Sequence, residues 1–227
     1  MRSQFDIQLS ELNNKMIGIG MLCETAISKT SKALLNCSIA TAKELPELLG
    51  KITESEREIE SICLKLLLHQ QPVARDLRAI SSALKMVTDA QRIGTQSTEI
   101  AEIVALGNIK SIPQKLPVGE MADAVIKMVT ESIDSFVKQD RNTALSVIKY
   151  DDVVDAYFDD CKSTLIELIK SPDIISESLV DLLMITKYYE RIGDHAVNIA
   201  KWVLFSITGS HADIAAAVQS TGISEGR

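Results

Sequence analysis

Along most of the chain, apolar residues recur at alternating steps of three and four. Phe5, Leu9, Leu12, Met16, Ile19, Cys23 and Ala26 make one such stripe, which predicts a first long helix running to about residue 36. The same period continues over 39–68 but meets Pro46, whose ring removes a backbone donor and clashes with the preceding turn, so a kink or restart is expected there. A third pattern begins near Pro72, a residue suited to the first turn of a helix, and fades at Gly107 and Asn108. The stretch GNIKSIPQKLPVG that follows reads as a linker. Beyond it a fourth helix is predicted over 119–138. A fifth starts at an Asp140 cap and runs to about 170, and a sixth opens at Ser171 and Pro172. The expected architecture is all-α, with a three-helix bundle in 1–107, a linker in 108–118, a second three-helix bundle in 119–208 and a mobile Gly- and Ser-rich tail in 209–227.

An internal repeat supports two bundles related by pseudo-twofold symmetry. Residues 83–104 align with 182–203 at an offset of 99, with identities at Leu84, Arg92, Ile93, Gly94, Ile100, Ala101 and Val104 and an ungapped Arg-Ile-Gly in both copies. Duplicated helix triplets bury their seams without strands.

Composition narrows the function. The chain has 227 residues, 46% of them hydrophobic, enough for a sizeable core. A net charge of −7 argues against nucleic-acid partners, which demand a basic face. No signal peptide and no long uncharged apolar run is visible, so a cytoplasmic protein, at most peripheral to a membrane, is expected. Cys23, Cys37, Cys63 and Cys161 sit singly in helical patterns and read as buried reduced thiols.

The candidate chemistry is carboxylate chemistry. In KYYERIGDHAVNIAKW, residues 187–202, Ile185, Tyr189, Ile192, Ala196, Ile199 and Val203 make the core stripe. Glu190, Asp194 and Asn198 make a second stripe nearly opposite. Gly193 leaves the surface between the two acids bare, for an ion or partner to approach. In KYDDVVDAYFDDCK, Asp151, Asp155 and Asp159 fall at steps of four, where like charges destabilise a helix unless a cation sits between them. If these two helices lie level, Asp151, Asp155, Glu190 and Asp194 converge, with Asp152, Asp159, Asn198 and His195 as further candidates. An all-oxygen set suits iron, Mg, Mn or Ca rather than zinc. His195 lies about 100° round the helix from Asp194, which suits packing at a flank or pairing with another acid. The bland alternative is a solvated acidic face. The first half lacks these acids. Gln91 and Thr95 stand for Glu190 and Asp194, and an offset of 102 sets Leu49 and Thr53 against the Asp151 and Asp155 pair. Loss of both pairs together is what a single shared site would give.

QQPVARDLR at 70–78, Arg-Ile-Gly at 92–94 and YYERIGDHAVNIA at 188–200, in that order, resemble the PhoU family of bacterial phosphate-transport accessory proteins, over about residues 5–208. The resemblance implies two three-helix bundles, each able to carry paired E(D)-x-x-x-D motifs that bind metal. Here those motifs match as Asp151 with Asp155 and Glu190 with Asp194, and Gln91 and Thr95 depart from the pattern. It also implies a negative regulator of phosphate uptake and phosphate-starvation signalling, acting through the ATPase subunit of a phosphate ABC transporter and a sensor histidine kinase. Exposed apolar seams at bundle edges suit a homodimer, which is expected.

Arg75, Asp76 and Arg78 read as caps and salt bridges at the start of the third helix. No acid-His pair at ferritin-like spacing, no Gly-rich phosphate loop and no nucleophile motif is present, so catalysis, including a carboxylate di-metal enzyme, is not expected. A helical metal-binding or scaffold protein serving another phosphate carrier is the alternative.

Overall fold

The computed structural model of the chain describes residues 2–69, 72–170 and 176–210. Its elements are α1 (Arg2–Leu35), α2 (Ile39–Ala42), α3 (Leu45–His69), α4 (Ala74–Leu106), α5 (Val118–Lys138), α6 (Arg141–Ile169) and α7 (Ser176–Thr208). No strand occurs among the described residues. No helix among them is long and apolar enough to cross a membrane.

The helix ends follow from local chemistry. α1 stops where Cys37 enters the left-handed region at φ 49°, with Ser38 N–H donating to the Ala33 carbonyl. Cys37 is therefore only half-buried, in contrast to the other three thiols and to the expectation for it. Pro46 acts as a restart rather than a kink. α2 is a single turn whose N-cap, Ser38, accepts from the Thr41 N–H, and α3 then carries Pro46 in its first turn, where no donor is needed. Pro72, expected inside the first turn of the next helix, lies ahead of it, and Val73 is the N-cap. Gly107 ends α4 at φ 75°. The segment from 107 to 117 holds no helix, yet Ile109 and Leu116 are buried, so it is pinned to the core. Asp140 caps α6 as its sequence suggests, accepting from the Asn142 and Thr143 N–H groups. The expected start at Ser171 and Pro172 and the expected tail beyond Ser210 lie outside the described residues.

Two three-helix bundles result, α1 with α3 and α4, and α5 with α6 and α7. They join through α1 against α5 and α4 against α7, leaving α3 and α6 on the flanks. The α4–α7 pair is antiparallel along its whole length. Arg78 packs on Gly209, Asp89 meets His195, Tyr188 reaches Glu99, and Asn108 donates to Asp181. The α1–α5 pair is antiparallel too, with Gly20 against Ile133 and Thr130 donating to Glu24. Each of these four inner helices buries a stripe against its own bundle and another against the opposite one, so a single apolar core runs through both bundles. Arg78, in the second turn of α4, lies against the residue that follows α7.

Candidate functional site

The α7 core stripe is buried as its period demands, from Ile185 through Tyr189, Ile192, Ala196 and Ile199 to Val203. That rotation turns Glu190 and Asp194 toward the seam with α6. Gly193 is the crossing point. It is itself buried, and a Cβ placed on it would stand 3.4 Å from Asp151 Oδ1 and 3.4 Å from Val154 Cγ1 of α6. The bare surface at Gly193 is therefore covered by α6 and not open to an approaching ion or partner. Glycine is used for close helix packing here.

Val154 is fully buried and fixes α6 on this crossing, which brings Asp151 and Asp155 to the same seam as Glu190 and Asp194. The electrostatics record the crowding. Burial, and then the charges of Asp155, Asp194, Glu190 and Asp152, push the Asp151 carboxyl up to about 7. Burial raises Asp155 as well, helped by Glu190, Asp152 and Asp159 and opposed by Lys187. Asp194 is raised by burial and by Glu190, again against Lys187. Each of these three aspartates loses part of its water and sees like charge nearby, which favours the protonated form.

Among the described residues, Lys187 pairs directly with one of these acids, and the charge of His195 reaches Asp194 as well. Lys187 Nζ lies 2.5 Å from Glu190 Oε2 as an ion pair, and that oxygen, fully buried, has no hydrogen bond of good geometry. Lys187 was not singled out from the sequence, although its spacing of three from Glu190 is the usual one for a helical ion pair. The remaining candidates sit at the margin. Asp152, Asp159 and Asn198 are exposed, as Asp155 and Asp194 are too, while Asp151 and Glu190 are half-buried; Asp152 and Asp159 add to the field on Asp155. His195 turns the other way, its Nδ1 2.8 Å from Asp89 Oδ1 on α4, with both side chains about 15% exposed. It serves the joint between bundles.

Among the described residues, no group of three or more His, Cys, Asp or Glu side chains is placed to hold a metal ion as the side chains stand. The four acids share a seam and a field, without closing round one point. Their donor set is all oxygen, which fits a hard cation.

The first bundle has the same crossing without the charge. A Cβ on Gly94 would meet Ile52 and Leu49 of α3, the residues 102 before Val154 and Asp151. Gln91 and Thr95 satisfy each other, Gln91 Nε2 donating to Thr95 Oγ1 at 3.2 Å and Thr95 Oγ1 to the Gln91 carbonyl.

Duplicated triplets crossed at matching glycines have a family counterpart. The PhoU domain model matches this chain twice, over residues 17–104 and 118–203. The chain belongs to the PhoU family. A relative from Pseudomonas aeruginosa, called a phosphate-specific transport system accessory protein PhoU homolog, is 33% identical over 213 residues, covering 91% of this chain and 86% of the relative. A Clostridium acetobutylicum relative of the same name is 29% identical over 215 residues, covering 94% of this chain and 98% of its own. The crystal structure of PhoU from Pseudomonas aeruginosa superposes with a TM-score of 0.84 at 31% identity, covering 91% of this chain and all of that one. The phosphate transport system regulatory protein PhoU from Streptococcus pneumoniae superposes at 0.83 with 25% identity, covering 91% and 98%.

Proposed function

We propose that this protein is an accessory regulator of phosphate transport that works by contact with other proteins, and that its second bundle carries a site for a multivalent, oxygen-preferring cation. The first part leans on family membership, since the relatives in both comparisons are named for a phosphate transport system. The partners proposed are the ATPase subunit of a phosphate ABC transporter and a sensor histidine kinase, met on the cytoplasmic side, with the chain as a homodimer. The sign proposed is repression of uptake and of starvation signalling.

The observation that carries the cation reading is the mutual elevation of Asp151, Asp155 and Asp194 across one helix seam, with Glu190 among its causes. Such a seam costs stability unless positive charge enters it. Asp151, Asp155, Glu190 and Asp194 would supply the oxygens after side-chain rotation, with water completing the shell, as is usual for Mg-like ions. When bound, the ion would invert the local sign and offer positions to phosphate or to a partner carboxylate.

Two experiments test this reading. Affinity capture of the tagged protein from cells grown with and without phosphate should recover the transporter ATPase or the kinase, and recovery of neither would overturn the regulatory role. Elemental analysis of the wild type beside Asp155→Ala and Glu190→Ala should report metal lost in both variants, whereas unchanged metal content would remove the site.

A further inference from the structure

Lys187 stands inside the acidic seam, and neither the core stripe nor the acid motif calls for it. Its ammonium is shared. Glu190 Oε2 lies 2.5 Å away on its own helix, and the ring centroid of Phe158, on α6 three residues past Asp155, lies 5.3 Å away. An aromatic face holds a cation weakly and without a fixed direction. The Lys187 side chain keeps 41% of its exposure while Glu190 keeps 17%, so the lysine can swing out on its four-carbon stem without opening the core.

The first bundle offers a control. The residue 99 before Lys187 is Thr88, whose hydroxyl donates to the Leu84 carbonyl of its own helix. The residue 102 before Phe158 is Glu56. Ammonium and ring are thus present where the acids are present and missing where Gln91 and Thr95 replace them.

We propose that Lys187 is a tethered counter-ion that occupies the Glu190 end of the carboxylate seam, must be displaced by an incoming multivalent cation, and thereby sets the affinity and valence preference of the site. This rests on the cation reading above. A monovalent ion from solution gains no more from Glu190 than the ammonium already does, and pays an association entropy that the tether avoids. A divalent ion gains about twice the Coulomb energy and can win the exchange. Phe158 gives the displaced charge a shallow resting place.

The test is calorimetric titration of MnCl2 into the full chain as wild type, Lys187→Met, Lys187→Arg and Lys138→Met. The last removes an exposed lysine paired with Asp134 on α5. Lys187→Met should bind Mn2+ about twofold to fivefold more tightly, the span of a partly exposed ion pair. Lys187→Arg and Lys138→Met should stay near wild type. Metal-free Lys187→Met should melt below the wild type, and saturating Mn2+ should close that gap, with far-UV circular dichroism checking that the helices persist. Mn2+ binding by Lys187→Met at wild-type strength or weaker overturns the counter-ion role while leaving the cation site standing. Absence of binding heat in every variant, Lys187→Met included, overturns the cation reading and this inference with it.

Discussion

Gly94 and Gly193 sit in the same Arg-Ile-Gly sequence and do the same mechanical work, yet what crosses them differs. Over Gly94 lie Ile52 and Leu49; over Gly193 lie Val154 and Asp151. The helix that crosses over the glycine thus presents two apolar side chains in the first bundle, and one apolar side chain and a carboxylate in the second, where Met128 of α5 also lies 3.8 Å away. The first bundle demonstrates that the fold does not need the acid. Burying Asp151 beside three other carboxylates works against stability, so its presence points to a use outside folding.

The sharpest way to break this comparison is at the apolar half of each crossing. Ile52→Ala should cost about 2–5 kcal/mol by urea unfolding. Val154→Ala should cost less by about 1 kcal/mol, since one methylene fewer is removed. Equal costs would mean that the two crossings are not equivalent. The next effect concerns the charged half. Asp151→Leu, which copies Leu49, should stabilise the metal-free protein by about 1–4 kcal/mol at pH 8, as replacing buried charge by apolar volume does elsewhere.

The pH dependence carries a definite sign. The Asp151 carboxyl titrates near its ordinary 3.8 when unfolded and at about 7 when folded. Between these values the folded state holds the proton more tightly, so its contribution is fully present below about 3.8 and lost as pH rises through about 7. Melting temperature of the metal-free protein should therefore fall over that window, and Asp151→Leu should flatten the fall. A bound cation should lift the wild type at the upper end by mass action.

A smaller contrast lies in the glycines. A Cβ on Gly94 would stand 2.8 Å from Ile52 Cδ1 in a filled core, so Gly94→Ala should cost a net ~1 kcal/mol, overpacking exceeding the gain in helix propensity. At Gly193 the nearest atoms lie at an ordinary 3.4 Å, and Gly193→Ala should be neutral or stabilising by up to ~1 kcal/mol. The smallest effect sharpens the site. Gln91→Glu with Thr95→Asp should add no measurable Mn2+ binding by calorimetry, because Leu49 and Thr53 supply no facing carboxylate. Adding Leu49→Asp and Thr53→Asp should create weak binding.

Much of the fold was written locally. The stripes at Phe5 to Ala26 and Ile185 to Val203, the stop at Gly107 and the cap at Asp140 all rest on contacts within a few residues of one helix, which periodicity and turn chemistry report directly. The acid pairs were legible for the same reason. Gly193 was misread because a glycine says that something approaches without saying what, and the visitor is α6. The approach of Arg78 to Gly209 was not legible because the two are 131 residues apart (209 less 78).

By itself, then, the sequence determined the helices, their order, the duplication and the acids that distinguish one half from the other, since each depends on spacing along a single helix or on likeness between two segments. Only the tertiary structure decided that α4 and α7 run antiparallel and share a core, that His195 pairs with Asp89 of α4, and that Lys187 pairs with Glu190. Those outcomes depend on the rotation of one helix against another. That angle is set by the summed packing of both surfaces, and no local pattern encodes it.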